Sequence, residues 1–203
     1  FKRHIGGNLA SHDFNKAIFT ELVGKMVKNA DTMYHYHSEL KATHPYSSSW
    51  EQWPTMIKPM FYYSNTVGDN LKEGISAFGN PLVWWAGIPA FIYMLYRSIR
   101  RTDKTAIFLV FAYLVQYVPW MLVPRCMFAY HYFPSVPFVA MMIVYTMYIL
   151  VKKNPKWLKW AMTYCVAGFL LFLLFCPVLS GQPIEQSFAR DGLKWLSGWV
   201  LVL

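Results

Sequence analysis

The sequence predicts an all-α integral membrane protein, with about four transmembrane helices preceded by an amphipathic surface helix. Hydrophobic residues make up 56% of the 203 residues and charged residues only 14%, whereas roughly a quarter of a typical soluble domain is charged. Four stretches without charged side chains are each about twenty residues long, the length that a spanning helix needs. A buried helix of a soluble protein could explain one such stretch. Four in succession, with the charges confined to their connections, favour a membrane protein.

The N-terminal region, residues 1–43, is predicted to contain the surface helix. Between Phe14 and Lys41, apolar side chains recur at helical spacing, whereas most polar side chains lie on the other face. Such a helix is too polar to span a bilayer, and we expect it to lie along the membrane surface. The alternative is that it packs against a domain outside this chain.

The composition divides the rest of the chain into three regions. Residues 44–76 are rich in aromatic and turn-forming residues and are predicted to be an extracytoplasmic loop. Residues 77–180 contain the four predicted spans, at about Ala77–Tyr96, Thr105–Pro124, Phe133–Val151 and Trp160–Leu179. In residues 181–203, the apolar side chains from Ser187 onward are spaced as in a second, extracytoplasmic surface helix.

The positive charges predict the orientation in the membrane. Two basic clusters, Arg97–Lys104 and Lys152–Lys159, connect spans one and two and spans three and four. The connection between spans two and three carries only Arg125. Because short cytoplasmic connections are enriched in Lys and Arg, we expect both clusters to be cytoplasmic. Residues 125–132 and both chain ends would then lie outside.

Several functional classes are excluded by the same composition. The formal net charge of +9 is compatible with nucleic-acid binding, but nucleic-acid-binding proteins gather their charge into one patch or motif. Here the clusters alternate with apolar stretches, so nucleic acid is excluded as a partner. Cys126, Cys165 and Cys176 are too few, and their neighbours too apolar, for a disulfide framework or a zinc site. His35 and His37 face different directions on a helix. We therefore expect neither a metal nor a cofactor.

Three segments carry a family resemblance: His44–Pro54 (HPYSSSWEQWP), Gly79–Trp85 (GNPLVWW) and Arg125–Pro134 (RCMFAYHYFP). Together they resemble the C-terminal four-helix region of protein O-mannosyltransferases, carrier-dependent enzymes of the GT-C class. The resemblance extends from about Met33 to the C-terminus. Because the first segment continues into the first span without an inserted domain, the chain resembles a bacterial member more than a eukaryotic one.

The resemblance implies an enzyme that transfers mannose from a polyprenyl- or dolichyl-phosphate carrier to Ser or Thr of a secreted protein. It also implies that the catalytic carboxylate lies in an N-terminal half of the enzyme. Since this chain begins at Phe1 without a signal peptide, we expect a fragment that lacks that half, contains no catalytic residue and is inactive alone. The implied partners are the lipid-linked donor, the secreted acceptor, the missing half and membrane lipid. The implied location is the plasma membrane of a bacterium, or the endoplasmic reticulum membrane in a eukaryote.

Arg125, His131 and Tyr132 are the predicted donor-phosphate-binding residues. A guanidinium can hold a phosphate through two parallel hydrogen bonds, most strongly where water is scarce. The alternative for Arg125 is an arginine that only anchors its helix at the interface. His131 and Tyr132 offer hydrogen-bond donors at a similar depth, although His131 could equally be a structural residue.

His44 and Trp50 are predicted to contact substrate from the aromatic loop. An aromatic face suits stacking on a sugar or an isoprenoid, and His44 could contact the acceptor hydroxyl or the phosphate. Trp50 is equally well explained as an anchor at the membrane interface.

Two other functions remain possible from the residues alone. One is a carrier-dependent transferase whose acceptor is a lipid or a glycan. The other is a transporter or a membrane scaffold without enzymatic activity. A transporter would place polar or ionisable side chains inside its spans, whereas the predicted spans contain Gln116 and little else of that kind.

The predicted orientation can be tested with single cysteines placed at Thr102 or Ala129, in a background whose three native cysteines are replaced by alanine. We expect a thiol reagent that cannot cross membranes to label the cysteine at position 129 in intact cells and to spare the one at position 102. Lysed cells supply the control, because both positions should then react. The reverse labelling pattern in intact cells would show that the orientation is inverted.

Overall fold

The structure, a computed structural model, describes residues 12–39 and 43–202, with side chains from residue 18 onward in the first range. The chain forms two compact units, Phe1–Ala42 and Thr43–Leu203. In the first unit, helix α1 covers His12–Glu39. The predicted helix is thus confirmed, except for Leu40 and Lys41, which lie outside the described residues. Its placement along a membrane surface stays a prediction.

The second unit contains four long helices. They are α2 (Pro81–Arg101), α3 (Lys104–Tyr117), α4 (Val136–Lys153) and α5 (Trp157–Ser180). Short 3-10 segments extend α3 through Leu122 and precede α4 from Ala129. In the described part of the chain, these four helical stretches are long and apolar enough to cross a membrane. The prediction of four transmembrane helices is confirmed.

Local sequence signals set the ends of these helices. The Asn80 side chain accepts a hydrogen bond from the Leu82 N–H at 3.0 Å, and Pro81 occupies the first position of α2, a combination that favours helix initiation. The first span therefore begins four residues later than predicted. Gly181, with φ of 74°, ends α5 in the left-handed conformation that glycine adopts without strain.

A small antiparallel sheet accompanies the bundle. Its strands are β1 (Met60–Thr66), β2 (Leu71–Ala77) and β3 (Ile184–Glu185), in the order β1-β2-β3. The predicted loop 44–76 therefore contains a hairpin, which is a correction to an otherwise all-α prediction. Aromatic residues and turn formers indicated a loop there, but an antiparallel pair with one solvated face has the same composition.

The C-terminal region also differs from its prediction. The expected surface helix from Ser187 to Leu203 is wrong, because only a π-helical turn, Phe188–Leu193, is present among the described residues and the chain after it is irregular. The reason is packing: Trp199 and Leu201 are buried beside Phe78 and Phe175, in a second core between the sheet, the end of α5 and the C-terminal segment. In a regular helix, Trp199 and Leu201 would face different directions, because residues two apart do not share a helix face.

The connections give the helix bundle two chemically different ends. The α2–α3 and α4–α5 connections lie at one end of the bundle, called here the basic end. Seven of the eight cations in the two basic clusters lie there, at helix ends or between helices. The hairpin, residues 123–128 and the C-terminal segment meet at the opposite end, called here the cleft end. There the Ser48 N–H donates to the Met127 carbonyl at 2.9 Å, and β2 pairs with β3.

A polar network joins three helices at the basic end. Arg97 of α2 donates from Nε and Nη2 to Asp103 Oδ2 at 2.8 and 2.6 Å, and Tyr145 of α4 donates to both carboxylate oxygens at 3.0–3.1 Å. Asp103 also caps α3 by accepting the N–H groups of Thr105 and Ala106. Burial acts to raise the pKa of Asp103, but the hydrogen bonds from Arg97, Ala106 and Tyr145 together lower it. The carboxylate therefore stays ionised and links all three helices.

We expect Asp103→Asn to lower the free energy of unfolding by about 1.5–3 kcal/mol, the range for a hydrogen bond to a charged group, because the amide leaves Arg97 without its counter-charge. The measurement is the apparent melting temperature of the purified protein in detergent. Asp191→Asn is the matched control, since Asp191 pairs with Arg190 on an exposed surface and should leave the melting temperature unchanged. Equal melting temperatures for all three proteins would contradict the network's role.

Candidate functional site

The candidate site is an open cleft of about 350 Å³ at the cleft end of the bundle. It lies between the segment before the hairpin and the connection from α3 to α4. The lining residues are Ser47, Ser48, Ser49, Gln52, Lys58, Arg125, Cys126 and Met127. Two cations, three hydroxyls and an amide thus surround one space.

The charge of the cleft favours an anion. Lys58 and Arg125 are both half-buried and no carboxylate belongs to the lining residues. The nearby Glu51 carboxylate is exposed, and hydrogen bonds from Ser49 and from its own backbone lower its pKa, so it remains ionised outside the cleft. A phosphate group suits this combination, because guanidinium and ammonium groups donate charge-assisted hydrogen bonds to its oxygens.

The serines and the amide already make local hydrogen bonds that fix the wall. Ser47 Oγ donates to the His44 carbonyl at 2.8 Å, and the Gln52 side chain accepts the Ser49 N–H at 3.1 Å. Ser48 Oγ accepts the indole N–H of Trp53 at 3.0 Å. Since a hydroxyl both donates and accepts, Ser47 and Ser48 keep hydrogen-bonding capacity for a ligand.

One turn, Trp53–Met56, sets the position of the cleft wall. Its carbonyls accept three indole N–H groups: Trp84 donates to Trp53 at 3.1 Å, Trp85 to Thr55 at 3.1 Å and Trp199 to Met56 at 2.7 Å. Gln52 precedes this turn and Lys58 follows it. The turn therefore orients both residues toward the cleft.

Met56 makes that turn unusual. Its φ of 57° lies in the left-handed region, which a residue with a side chain adopts only at a cost of about 1–3 kcal/mol. Its side chain is buried in the second core, and its carbonyl holds the buried Trp199. At the neighbouring Gly198, an added Cβ would collide with the Ile57 carbonyl, so glycine is needed for this close approach.

The three predicted donor-phosphate residues do not meet in one space. Arg125 lines the cleft. Tyr132 is 4% exposed, bonds to the Tyr113 hydroxyl at 3.1 Å and lines a separate cavity of about 170 Å³ within the bundle. His131 lines neither space and lies in an aromatic cage, with its ring 4.4 Å from that of Trp120 and 4.5 Å from that of Tyr130.

His131 has structural partners on the backbone. Its Nδ1 lies 3.2 Å from the Phe128 nitrogen and 3.0 Å from the Phe128 oxygen, so one tautomer accepts from the former and the other donates to the latter. Its ring also stacks on Trp53, 6.0 Å between centroids. These contacts connect the segment after Arg125 to the Trp53–Met56 turn, which Lys58 follows.

The two predicted substrate-loop residues flank the serines of the cleft. His44 is exposed, its ring 5.1 Å from that of Phe128, and its Nδ1 accepts the Tyr46 N–H. Trp50 is half-buried, and its carbonyl accepts the Tyr117 hydroxyl at 2.8 Å. Neither side chain lines the cleft, although both hold the segment that does.

Lys58 is the residue that the sequence analysis missed. The available signal was a lone cation four residues after Pro54, in a stretch otherwise made of aromatic, proline and turn residues. Among the side chains that the structure describes, no group of three or more His, Cys, Asp or Glu residues is placed to hold a metal ion.

Comparison with known proteins gives a family match over most of the chain. The family described as the C-terminal four TMM region of protein-O-mannosyltransferase matches residues 22–199. A Saccharomyces cerevisiae relative, dolichyl-phosphate-mannose–protein mannosyltransferase 1, is 26% identical over 201 residues, covering 87% of this chain and 24% of the relative. A Corynebacterium glutamicum relative, polyprenol-phosphate-mannose–protein mannosyltransferase, is 23% identical, covering 90% of this chain and 38% of its own.

A solved structure has the same fold. A chain of the Saccharomyces cerevisiae protein O-mannosyltransferase Pmt1-Pmt2 complex bound to the sugar donor superposes with a TM-score of 0.69 at 23% identity. The match covers 88% of this chain and 27% of that one. This chain therefore spans between about a quarter and two fifths of the length of these relatives.

The role of the turn can be tested by Trp199→Phe, which keeps a buried ring but removes the donor to the Met56 carbonyl. We expect faster hydrogen exchange of the backbone N–H groups of Trp53 and of residues 55–58. The free energy of unfolding should fall by about 1–3 kcal/mol, the cost of an unsatisfied buried acceptor. Trp195→Phe is the control, because the Trp195 indole donates to Gly192 on the surface. Unchanged exchange in Trp199→Phe would show that the turn does not depend on the indole.

Proposed function

This chain belongs to the protein O-mannosyltransferase family, as its C-terminal four-transmembrane region, and from that premise we propose that it is the membrane part of an enzyme that mannosylates proteins. In the proposed reaction, mannose passes from a polyprenyl-phosphate carrier to a Ser or Thr hydroxyl of a secreted protein. The names of the relatives support this donor and this acceptor class. A lipid or glycan acceptor has no comparable support.

The observation that carries the proposal is that Arg125 and Lys58 line the same open cleft. When the glycosidic bond to the carrier breaks, negative charge grows on the departing phosphate. Two cations fixed at the cleft would stabilise that charge more in the transition state than in the ground state, which is how such groups accelerate a reaction. The serine hydroxyls and Gln52 add neutral hydrogen-bond partners for the phosphate.

We propose supporting roles for the other predicted residues. His131 and Tyr132 hold the Arg125 loop from beneath, His131 through Trp53 and Tyr132 through its bond to Tyr113. His44 and Trp50 hold the opposite wall, and the exposed His44 is the better placed of the two to contact the acceptor.

The rest of the reaction is assigned to parts of the enzyme beyond this chain. Deprotonation of the attacking hydroxyl needs a general base, and none of the cleft residues is a carboxylate. The proposed base therefore belongs to the N-terminal half. The chain is an integral membrane protein, and we propose the plasma membrane of a bacterium as its location, with the cleft facing outward.

Arg125→Ala in the full-length enzyme tests the phosphate assignment. We expect the rate of mannose transfer from a polyprenyl-phosphate-mannose donor to fall at least about tenfold, since one charge-assisted hydrogen bond in the transition state is worth more than 1.4 kcal/mol. Arg125→Lys should recover part of this loss, because it restores the charge without the bidentate geometry.

Lys72→Ala is the control for charge alone. Lys72 lies on β2, and its ammonium group donates to Thr66 Oγ1 at 2.8 Å, away from the cleft lining. Its removal should leave the transfer rate unchanged. Full activity of a correctly folded Arg125→Ala enzyme would mean that Arg125 is only an interfacial anchor.

A further inference from the structure

A second concave site lies at the basic end of the bundle. An apolar groove of about 190 Å³ runs between the C-terminal end of α4 and the N-terminal half of α5. Its walls are Met147, Leu150, Trp157, Trp160, Ala161 and Tyr164. The Tyr164 hydroxyl is already used, because it donates to the Leu82 carbonyl at 3.2 Å. The groove therefore presents hydrocarbon and ring surface.

The groove opens beside a cluster of positive charges. Four exposed lysines lie at or beside the connection between its two helices: Lys152 and Lys153 at the end of α4, Lys156 between the helices and Lys159 in the first turn of α5. The sequence contains no Asp or Glu between residues 104 and 184. Lys159 Nζ lies 5.5 Å from the Trp160 ring that lines the groove. None of the ion pairs between described residues involves these four lysines.

The other connection at this end provides a contrast. Its Asp103 neutralises Arg97 within the bundle, and none of its residues lines the groove. At the α4–α5 connection, by contrast, the exposed lysines lie next to an apolar groove.

We propose that this groove binds an anionic phospholipid of the membrane leaflet at the basic end. One acyl chain lies between Trp157 and Trp160, and the headgroup phosphate contacts Lys156 and Lys159. Basic pockets between transmembrane helices select anionic headgroups by charge, while the apolar walls hold the chain. The site is separate from the Arg125 cleft, which lies at the opposite end of the bundle, so it does not depend on the proposed reaction.

The first measurement uses the unaltered full-length protein in nanodiscs that contain equal amounts of phosphatidylglycerol and phosphatidylcholine. After transfer to detergent, native mass spectrometry counts the lipids that remain bound. We expect phosphatidylglycerol to be retained in preference to phosphatidylcholine. Equal retention of the two lipids would overturn the proposal without any variant having to fold.

Two variants then test the lysine charges and the shape of the groove separately. Lys156→Gln with Lys159→Gln should reduce the retained phosphatidylglycerol at least about fivefold, because each lysine near the headgroup contributes to its affinity. Ala161→Phe fills the groove and keeps every charge, and it should reduce retention to a similar extent. The matched control is Arg100→Gln with Arg101→Gln, which removes two charges from exposed positions at the end of α2 and should leave retention unchanged.

Each alternative occupant predicts a different result. If the arginine control loses as much phosphatidylglycerol as the lysine variant, the attraction is general surface charge and no specific site exists. If Ala161→Phe retains the lipid, the groove is not the binding site. If added polyprenyl phosphate displaces the bound phosphatidylglycerol, the groove belongs to the carrier lipid. Any of these three outcomes overturns the proposal.

Discussion

The hydrogen bonds from three indoles to one turn are the constraint on which the cleft end depends. Trp84 and Trp85 come from the start of α2 and Trp199 from the end of the chain, yet their N–H groups converge on the carbonyls of Trp53, Thr55 and Met56. The bond from Trp199 to Met56 is buried, and a buried carbonyl without a donor costs about 1–3 kcal/mol, so this bond matters most of the three. Because the turn carries Gln52 and Lys58 on its flanks, the tryptophans position a charge that they do not themselves contact.

The bundle combines two ways of ordering charge at a membrane boundary. At the basic end, Asp103 balances Arg97 and fastens three helices together, whereas the lysines of the α4–α5 connection remain exposed. At the cleft end, Arg125 and Lys58 face a shared space without a carboxylate in its lining. The Arg97 charge that stabilises the fold is thus paired with Asp103, whereas the cleft lining brings two cations together and contains no carboxylate.

The sequence predicts the parts of this fold that depend on local physics. Hydropathy and length locate the four spans, because a helix that crosses a bilayer must be apolar over about twenty residues and must satisfy its backbone hydrogen bonds internally. The hairpin is missed because pairing of Met60–Thr66 with Leu71–Ala77 gives only a weak local signal, and its third strand lies more than a hundred residues away. Arg125 is predicted from its isolation in the sequence. The sequence does not predict that Tyr132 is separated from Arg125, because this depends on side-chain directions along the 3-10 segment that precedes α4.

Two contacts between distant parts of the chain have a consequence for biosynthesis. Strand β2 pairs with β3, and Trp199 donates a hydrogen bond to Met56 across 143 residues. During translation, the turn and the hairpin leave the ribosome long before their C-terminal partners exist. Those partners reach the same side of the membrane only after α5 has been inserted. The cleft wall must therefore remain incomplete until all four helices have been inserted, and the segment that follows α5 closes it. Such an order ties the maturation of the cleft to the completed topology of the bundle.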